Sequence, residues 1–137
     1  MAFIDAVELD TSELTGDTFV PASEAGAKND LKLSSLEGWL NTRQTFSNAA
    51  VTIAATTRVL AQVGTMSAAR TVTLPAASAL PAGTAIVVQD ESGTVTASNT
   101  ISVARAGSDT INGASTSVVI SGKYGQLVFI TDGTSNW

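Results

Sequence analysis

The chain has 137 residues, 44% of them hydrophobic but only 5% aromatic, and a formal net charge of -5. Cysteine and histidine are both absent, which excludes disulfides, histidine-based zinc sites and Ser-His or Cys-His nucleophile pairs within one chain. Alanine supplies much of the hydrophobic count, and small side chains bury little area each, at about 25 cal/mol per Å². The composition therefore points to oligomerisation as the way to complete the core.

The charge is unevenly placed. Residues 1–40 carry eight acids (Asp5, Glu8, Asp10, Glu13, Asp17, Glu24, Asp30, Glu37) against Lys28 and Lys32, and residues 41–137 carry four acids against five bases. An acidic head on a near-neutral body suits an attachment end that meets a basic partner, or an N-terminal segment kept soluble by its acids. No basic patch for nucleic acid is present. The opening MAFIDAVELD lacks the basic region and apolar run of a signal peptide. No stretch approaches the roughly 18 apolar residues of a membrane helix. The expectation is a protein made in a cytoplasm, off the general secretory route, with neither a nucleic-acid nor a membrane partner.

In chain order, residues 1–32 read as an extended acidic arm and a small hairpin, with strands at 18–21 and 31–33 around Glu24-Ala25-Gly26. In SSLEGWLNTRQTF, Ser34 and Glu37 form a capping-box pattern. Leu33, Leu36, Trp39, Leu40 and Phe46 recur near helical spacing, which predicts one short helix over residues 35–45 with these side chains as its packing stripe. From residue 49 onward the pattern predicts strands only, at 51–54, 58–63, 71–74, 85–89, 94–97, 100–105, 117–121 and 127–132. Gly-, Asn- and Asp-rich turns punctuate them, including a type I′ or related turn at Asn112-Gly113. No repeat of fixed length stands out, so a single-chain solenoid is not expected. The division is an N-terminal α+β module, residues 1–48, followed by a β-sandwich or β-prism-like domain, residues 49–137; the fold class is mainly β.

Few residues offer chemistry. Asp90 and Glu91 are adjacent on a strand and so point to opposite faces, which is poor geometry for a two-carboxylate glycosidase and suits turn capping. Arg105 and Asp109 flank the turn Ala106-Gly107-Ser108 and read as a structural ion pair: within a monomer they meet across the turn, and within an oligomer Arg105 reaches an acid of the next chain. Gly107 and Gly113 do not match a phosphate loop. Tyr124, Phe129 and Trp137 are the aromatics after Phe46 and read as core plugs, with sugar stacking as the other use of such rings. No catalytic residue, cofactor site or metal site is expected, and the chain is read as not an enzyme.

ELTGDTFVPASEAGAKNDLKLSSLEGWLNT resembles the opening module of many tailed-phage virion proteins. The words RTVTLPAAS, PAGTAIVVQDESGT, TISVARAGSDTINGA and DGTSNW are similar to a β-rich unit of phage tail fibres, head fibres and capsid decoration proteins. What the resemblance implies is a homotrimer in which strands of three chains share one interior. On that reading the narrow apolar stripes of Val72, Leu74, Ile86, Val88, Ile101, Val103, Ile111, Val118 and Ile120 line the trimer core, each meeting two copies of itself on a three-fold axis. The short chain suits a capsid decoration or head-fibre protein bound non-covalently to the major capsid protein or another virion protein. Residues 1–46 would attach it and the β body would face outward. The virion is then its location, after assembly in the host cytoplasm. A short tail fibre or tail adaptor, and an adhesion module for a host-surface glycan using Tyr124, Trp137 or the turn at residues 90–93, are the alternatives.

Overall fold

The computed structural model describes residues 42–137. It is mainly β, with two mixed four-stranded sheets and, among the described residues, no helix beyond one 3₁₀ turn at Ala77–Ala79. The strands are β1 (Thr42–Phe46), β2 (Val51–Thr52), β3 (Thr57–Gln62), β4 (Arg70–Thr73), β5 (Ala85–Asp90), β6 (Ile101–Ala104), β7 (Val118–Ile120) and β8 (Gln126–Ile130). Seven of the eight strands expected from alternation are present within two residues of their expected ends. The exception is residues 94–97, where Thr96 N–H instead donates to Asn99 O to close a turn.

The chain alternates between the sheets. Strands β1, β3 and β5 run parallel in the first sheet, and β2, β4 and β6 run parallel in the second. The path then reverses, so that β7 lies antiparallel to β6 and β8 antiparallel to β5. Neighbouring parallel strands are thus successive windings of one chain, in the manner of a solenoid, contrary to the expectation from sequence. The windings are unequal: Arg43 is abreast of Val59, but Val59 is abreast of the much more distant Val87. Connections of different length erase the fixed period by which a repeat is recognised.

The region expected to end the helix is β1. Thr42, Arg43, Gln44 and Thr45 pair in parallel with β3, with an irregularity between Thr42 and Arg43. Threonine and phenylalanine favour extended backbone, and a sheet edge outweighs a weak helical pattern. Residues 42–46, assigned from sequence to the N-terminal module, thus belong to the β body. The remainder of the expected helix, the arm and the hairpin lie outside the described residues.

One core lies between the sheets. Leu60, Ile86, Val88 and Phe129 of the first sheet share it with Val72, Ile101, Val103 and Ile120 of the second, and Ile53, Met66, Leu74, Leu80, Val95, Ile111 and Trp137 belong to the same buried cluster. The side chains assigned to a three-fold interior are thus inside a single chain. Val72, Leu74, Ile86, Val88, Ile101, Val103, Ile111 and Ile120 are buried there, and Val118 packs against them half-buried. The physical reason is the second sheet: each narrow stripe faces the stripe of the opposite layer and does not need another copy. The inference that one chain is short of core fails on the same ground.

Candidate functional site

The loops carry most of the polar side chains, and their geometry shows what those groups do. Asp90 ends β5 with its side chain inward and is only 3% exposed. Its Oδ1 accepts from Ser92 N (3.0 Å), Ser92 Oγ (2.8 Å) and Gly93 N (3.0 Å), and its Oδ2 from Val95 N (3.2 Å) and Tyr124 N (3.1 Å). Burial pushes this carboxyl up, but the hydrogen bonds from Ser92, Tyr124 and Val95 together outweigh it and hold the acid below its ordinary value. Ser92 Oγ also contacts Gln62 Oε1 and Thr94 Oγ1, so the end of β3 joins the same network. Glu91 points the other way, to Arg43 of β1 and Gln89 of β5. The opposed faces expected for the acid pair are what the structure has, and Asp90 is a turn hub with its oxygens occupied.

A second clasp closes the C-terminal residues. Asp132 Oδ1 accepts from the backbone N–H of Thr134 (2.8 Å), Ser135 (2.9 Å) and Asn136 (3.0 Å), and these bonds hold its carboxyl below the usual range. Asn136 Oδ1 accepts from Thr110 Oγ1 (2.7 Å) and Gly113 N (2.9 Å). Trp137 exchanges backbone bonds with Thr110 and Asn112 and buries its ring at 4% exposure. The Asn112-Gly113 turn is as expected: both residues have positive φ, 51° and 75°, and Ile111 and Ala114 bridge across it.

Arg105 and Asp109 do not form the expected pair. Arg105 Nε donates to Ser115 O (3.3 Å), and Asp109 Oδ2 accepts from Ala77 N (2.8 Å) at the start of the 3₁₀ turn. Backbone groups left free by two irregular segments lie closer to hand than the opposite charge, and an unsatisfied backbone donor is costly. The ion pair present among the described residues is Arg43–Glu91, between β1 and the residue after β5. Of the side chains assigned to packing in the attachment module, Phe46 is in the β core at 7% exposure. Leu33, Leu36, Trp39 and Leu40 lie outside the described residues. Of the glycan candidates, Trp137 is buried and Asp90 is buried with its oxygens occupied, whereas Tyr124 is 70% exposed. Its ring lies across Gly93, where a Cβ would fall 2.3 Å from Tyr124 Cζ.

With the polar groups committed to structure, the distinctive surface is apolar. The exposed large hydrophobic side chains among the described residues are Val119, Tyr124, Val128 and Ile130, all on β7, β8 or the connection between them. Along β8, Leu127 and Phe129 face the core, and Gln126, Val128 and Ile130 face out. Register places Val59, Val87 and Val128 abreast on the outer face of the first sheet, with Ala85 opposite Ile130 beside them. At this margin a groove of about 270 Å³ is lined by Ile111, Asn112, Val118, Trp137 and residues 127–130. Sequence reasoning missed this face, although strict alternation in QLVFI was its signal: if Leu127 and Phe129 are core, Val128 and Ile130 are not.

Among the described residues no group of acidic or other ligating side chains is arranged to hold a metal, and no helix is long and apolar enough to cross a membrane. Comparisons with protein-family models, curated proteins and solved structures returned no match.

Proposed function

We propose that this chain is a structural protein of a tailed-bacteriophage virion, a capsid decoration or head-fibre protein that binds the shell non-covalently as a homotrimer and performs no reaction. The major capsid protein or another virion protein is its partner, and the virion its location. The observation that carries the reading is the division of the surface: the loop acids are spent on backbone hydrogen bonds, while Val128 and Ile130 stand exposed on the outward side of β8. Such a patch serves binding better than chemistry. The phrases RTVTLPAAS and DGTSNW add the virion context by resemblance. The mechanism is contact area repeated by symmetry, which gives avidity without a strong single contact.

Co-sedimentation of the purified protein with undecorated particles, followed by negative-stain imaging, tests the reading. Retention with new density on the head is expected. Density at the tail alone would make the protein a short tail fibre or adaptor, and no retention on any particle overturns the virion assignment.

Tyr124 favours a second reading, a glycan-binding adhesion module, because an exposed ring over a glycine turn offers a flat stacking surface. Retention on a glycan array that is lost in Tyr124→Ala would support it over the first.

A further inference from the structure

Two dipeptides of this chain carry the chemistry by which proteins age without an enzyme. Asn112-Gly113 is the one Asn-Gly in the sequence and Asp132-Gly133 the one Asp-Gly. Glycine has no Cβ to shield its nitrogen, so that nitrogen can attack the carbonyl carbon of the side chain before it. The fold gathers both dipeptides into the C-terminal clasp and occupies both glycine nitrogens. Gly113 N–H donates to Asn136 Oδ1 (2.9 Å), and Gly133 N–H donates to Thr131 Oγ1 (3.0 Å). The flanking backbone is tied as well. Asn112 N–H donates to Trp137 O (2.7 Å), and Thr110 N–H donates to Ser135 O (2.8 Å). Asn112 itself is exposed, and Asn136 is half-buried. Of the two dipeptides, Asp132-Gly133 is the slower to react, because an ionised carboxylate is a poor electrophile.

We propose that Asn112 is a deamidation site kept closed by the C-terminal clasp, with Asn136 Oδ1 as the group that holds the attacking nitrogen. The reaction needs only water. Gly113 N gives its proton to solvent base and bonds to Asn112 Cγ. The Cγ–Nδ2 bond breaks, ammonia leaves with a proton from solvent, and a succinimide ring joins the two residues. Water then opens the ring at either carbonyl, leaving aspartate or isoaspartate, and nothing is oxidised or reduced. Asn136 acts on the first event, because a hydrogen-bonded N–H meets solvent base only when its bond opens. Opening disturbs more than one bond. Asn136 Oδ1 also accepts from Thr110 Oγ1 (2.7 Å), and the next residue, Trp137, has its ring buried at 4% exposure. Asp132 Oδ1 holds the tail from the other side through the N–H groups of Thr134, Ser135 and Asn136. Conversion has a structural consequence. Asn112 lines the groove beside β8, so its product places a carboxylate there, and isoaspartate adds a methylene to the backbone of the turn that Ile111 and Ala114 bridge.

The test ages the full chain in mildly alkaline buffer and maps it with trypsin, which cuts after Arg105 and Lys123 and isolates Asn112 as the only asparagine of residues 106–123. The mass gain of an amide-to-acid conversion is followed over time, with isoaspartate identified by fragmentation. The samples are the folded wild type, the wild type unfolded in urea, Asn136→Ala, Asn136→Asp and Asp132→Ala, each variant checked for folding by circular dichroism. The folded wild type is expected to convert about tenfold or more slowly than the unfolded chain. Asn136→Ala is expected to convert about threefold or more faster than the folded wild type. Asn136→Asp keeps an acceptor oxygen in place and should stay near the wild type. Asp132→Ala loosens the tail and should also be faster, which decides the matter if Asn136→Ala does not fold. Asn99, which precedes Thr100, should keep its wild-type rate in the folded variants, so that a faster Asn112 reports the clasp and not general unfolding. A folded wild type that converts as fast as the unfolded chain, or an unfolded chain that does not convert, overturns the protected site. A folded Asn136→Ala no faster than the wild type, or one matched by Asn136→Asp, overturns the role of Asn136 Oδ1. If Asn136→Ala does not fold, an Asp132→Ala no faster than the wild type overturns the role of the clasp.

Discussion

The outer faces of the two sheets make an instructive pair. Across the first sheet run Val59, Val87 and Val128, and across the corresponding row of the second run Thr71, Ser102 and Val119, with Thr52, Thr73 and Ala104 beside them. Both faces draw on β-branched side chains of similar shape, so both suit extended backbone. They differ in what they offer water. Threonine and serine present hydroxyls that stay hydrated, and they leave Val119 as the exposed large apolar side chain of that row. Valine presents methyl groups, and the first sheet leaves an apolar strip that gains free energy when covered. The same backbone vocabulary thus builds one face that is mostly polar and one that is mostly apolar.

The comparison depends on the β7–β8 connection being held, and the largest effect comes from releasing it. Asp90→Ala strands the N–H groups of Ser92, Gly93, Val95 and Tyr124, three of them on the loop after β5 and one at the entrance to β8. A loss of about 3 kcal/mol or more is expected in urea denaturation. The wild type should show the same dependence as a pH effect. Because this carboxyl is held below its unfolded value, its contribution is full above about pH 4 and is lost as the pH falls through the lowered value, and Asp90→Ala should flatten that acid limb.

Gly133 tests the same margin from the other end of β8. Its φ is +75°, and a Cβ there would fall 2.7 Å from Ala82 N. Gly133→Ala is therefore expected to lower stability by about 1–3 kcal/mol, seen as a lower melting temperature, because backbone rather than a flexible side chain must give way.

The smallest effects sharpen the contrast between the faces themselves. Val87→Thr and Thr71→Val exchange a methyl for a hydroxyl on outward positions. Each should change the stability of a single chain by no more than about 0.5 kcal/mol. Their effects on binding of a hydrophobic fluorescent dye should have opposite signs: Val87→Thr lowers it by removing apolar surface beside Val128, and Thr71→Val raises it. Equal effects of the two exchanges on dye binding would erase the distinction between the sheets.

Strand positions after residue 49, the one expected at 94–97 excepted, were legible in the sequence because alternation and turn chemistry are local. TVTL, TISV and the Asn112-Gly113 turn each carry their own instructions, and they act within a few residues. Turn capping by Asp90 through the N–H groups of Ser92 and Gly93 is equally local, whereas its bond from Tyr124 N–H is not. Partners were not legible. Whether Val72 and Val103 face another chain or the opposite layer of their own, whether residues 42–46 extend along β3 or coil, and whether Asp109 meets Arg105 or Ala77 N–H all depend on groups far away in the chain. The solenoid-like winding was hidden for the same reason, since sheet pairing tolerates connections of any length while a repeat is recognised only by equal ones. The sequence by itself determined which residues alternate and where the chain turns. Only the tertiary structure decided which stripe is interior and which face is left bare, because burial is a property of two surfaces brought together and no single segment encodes its opposite.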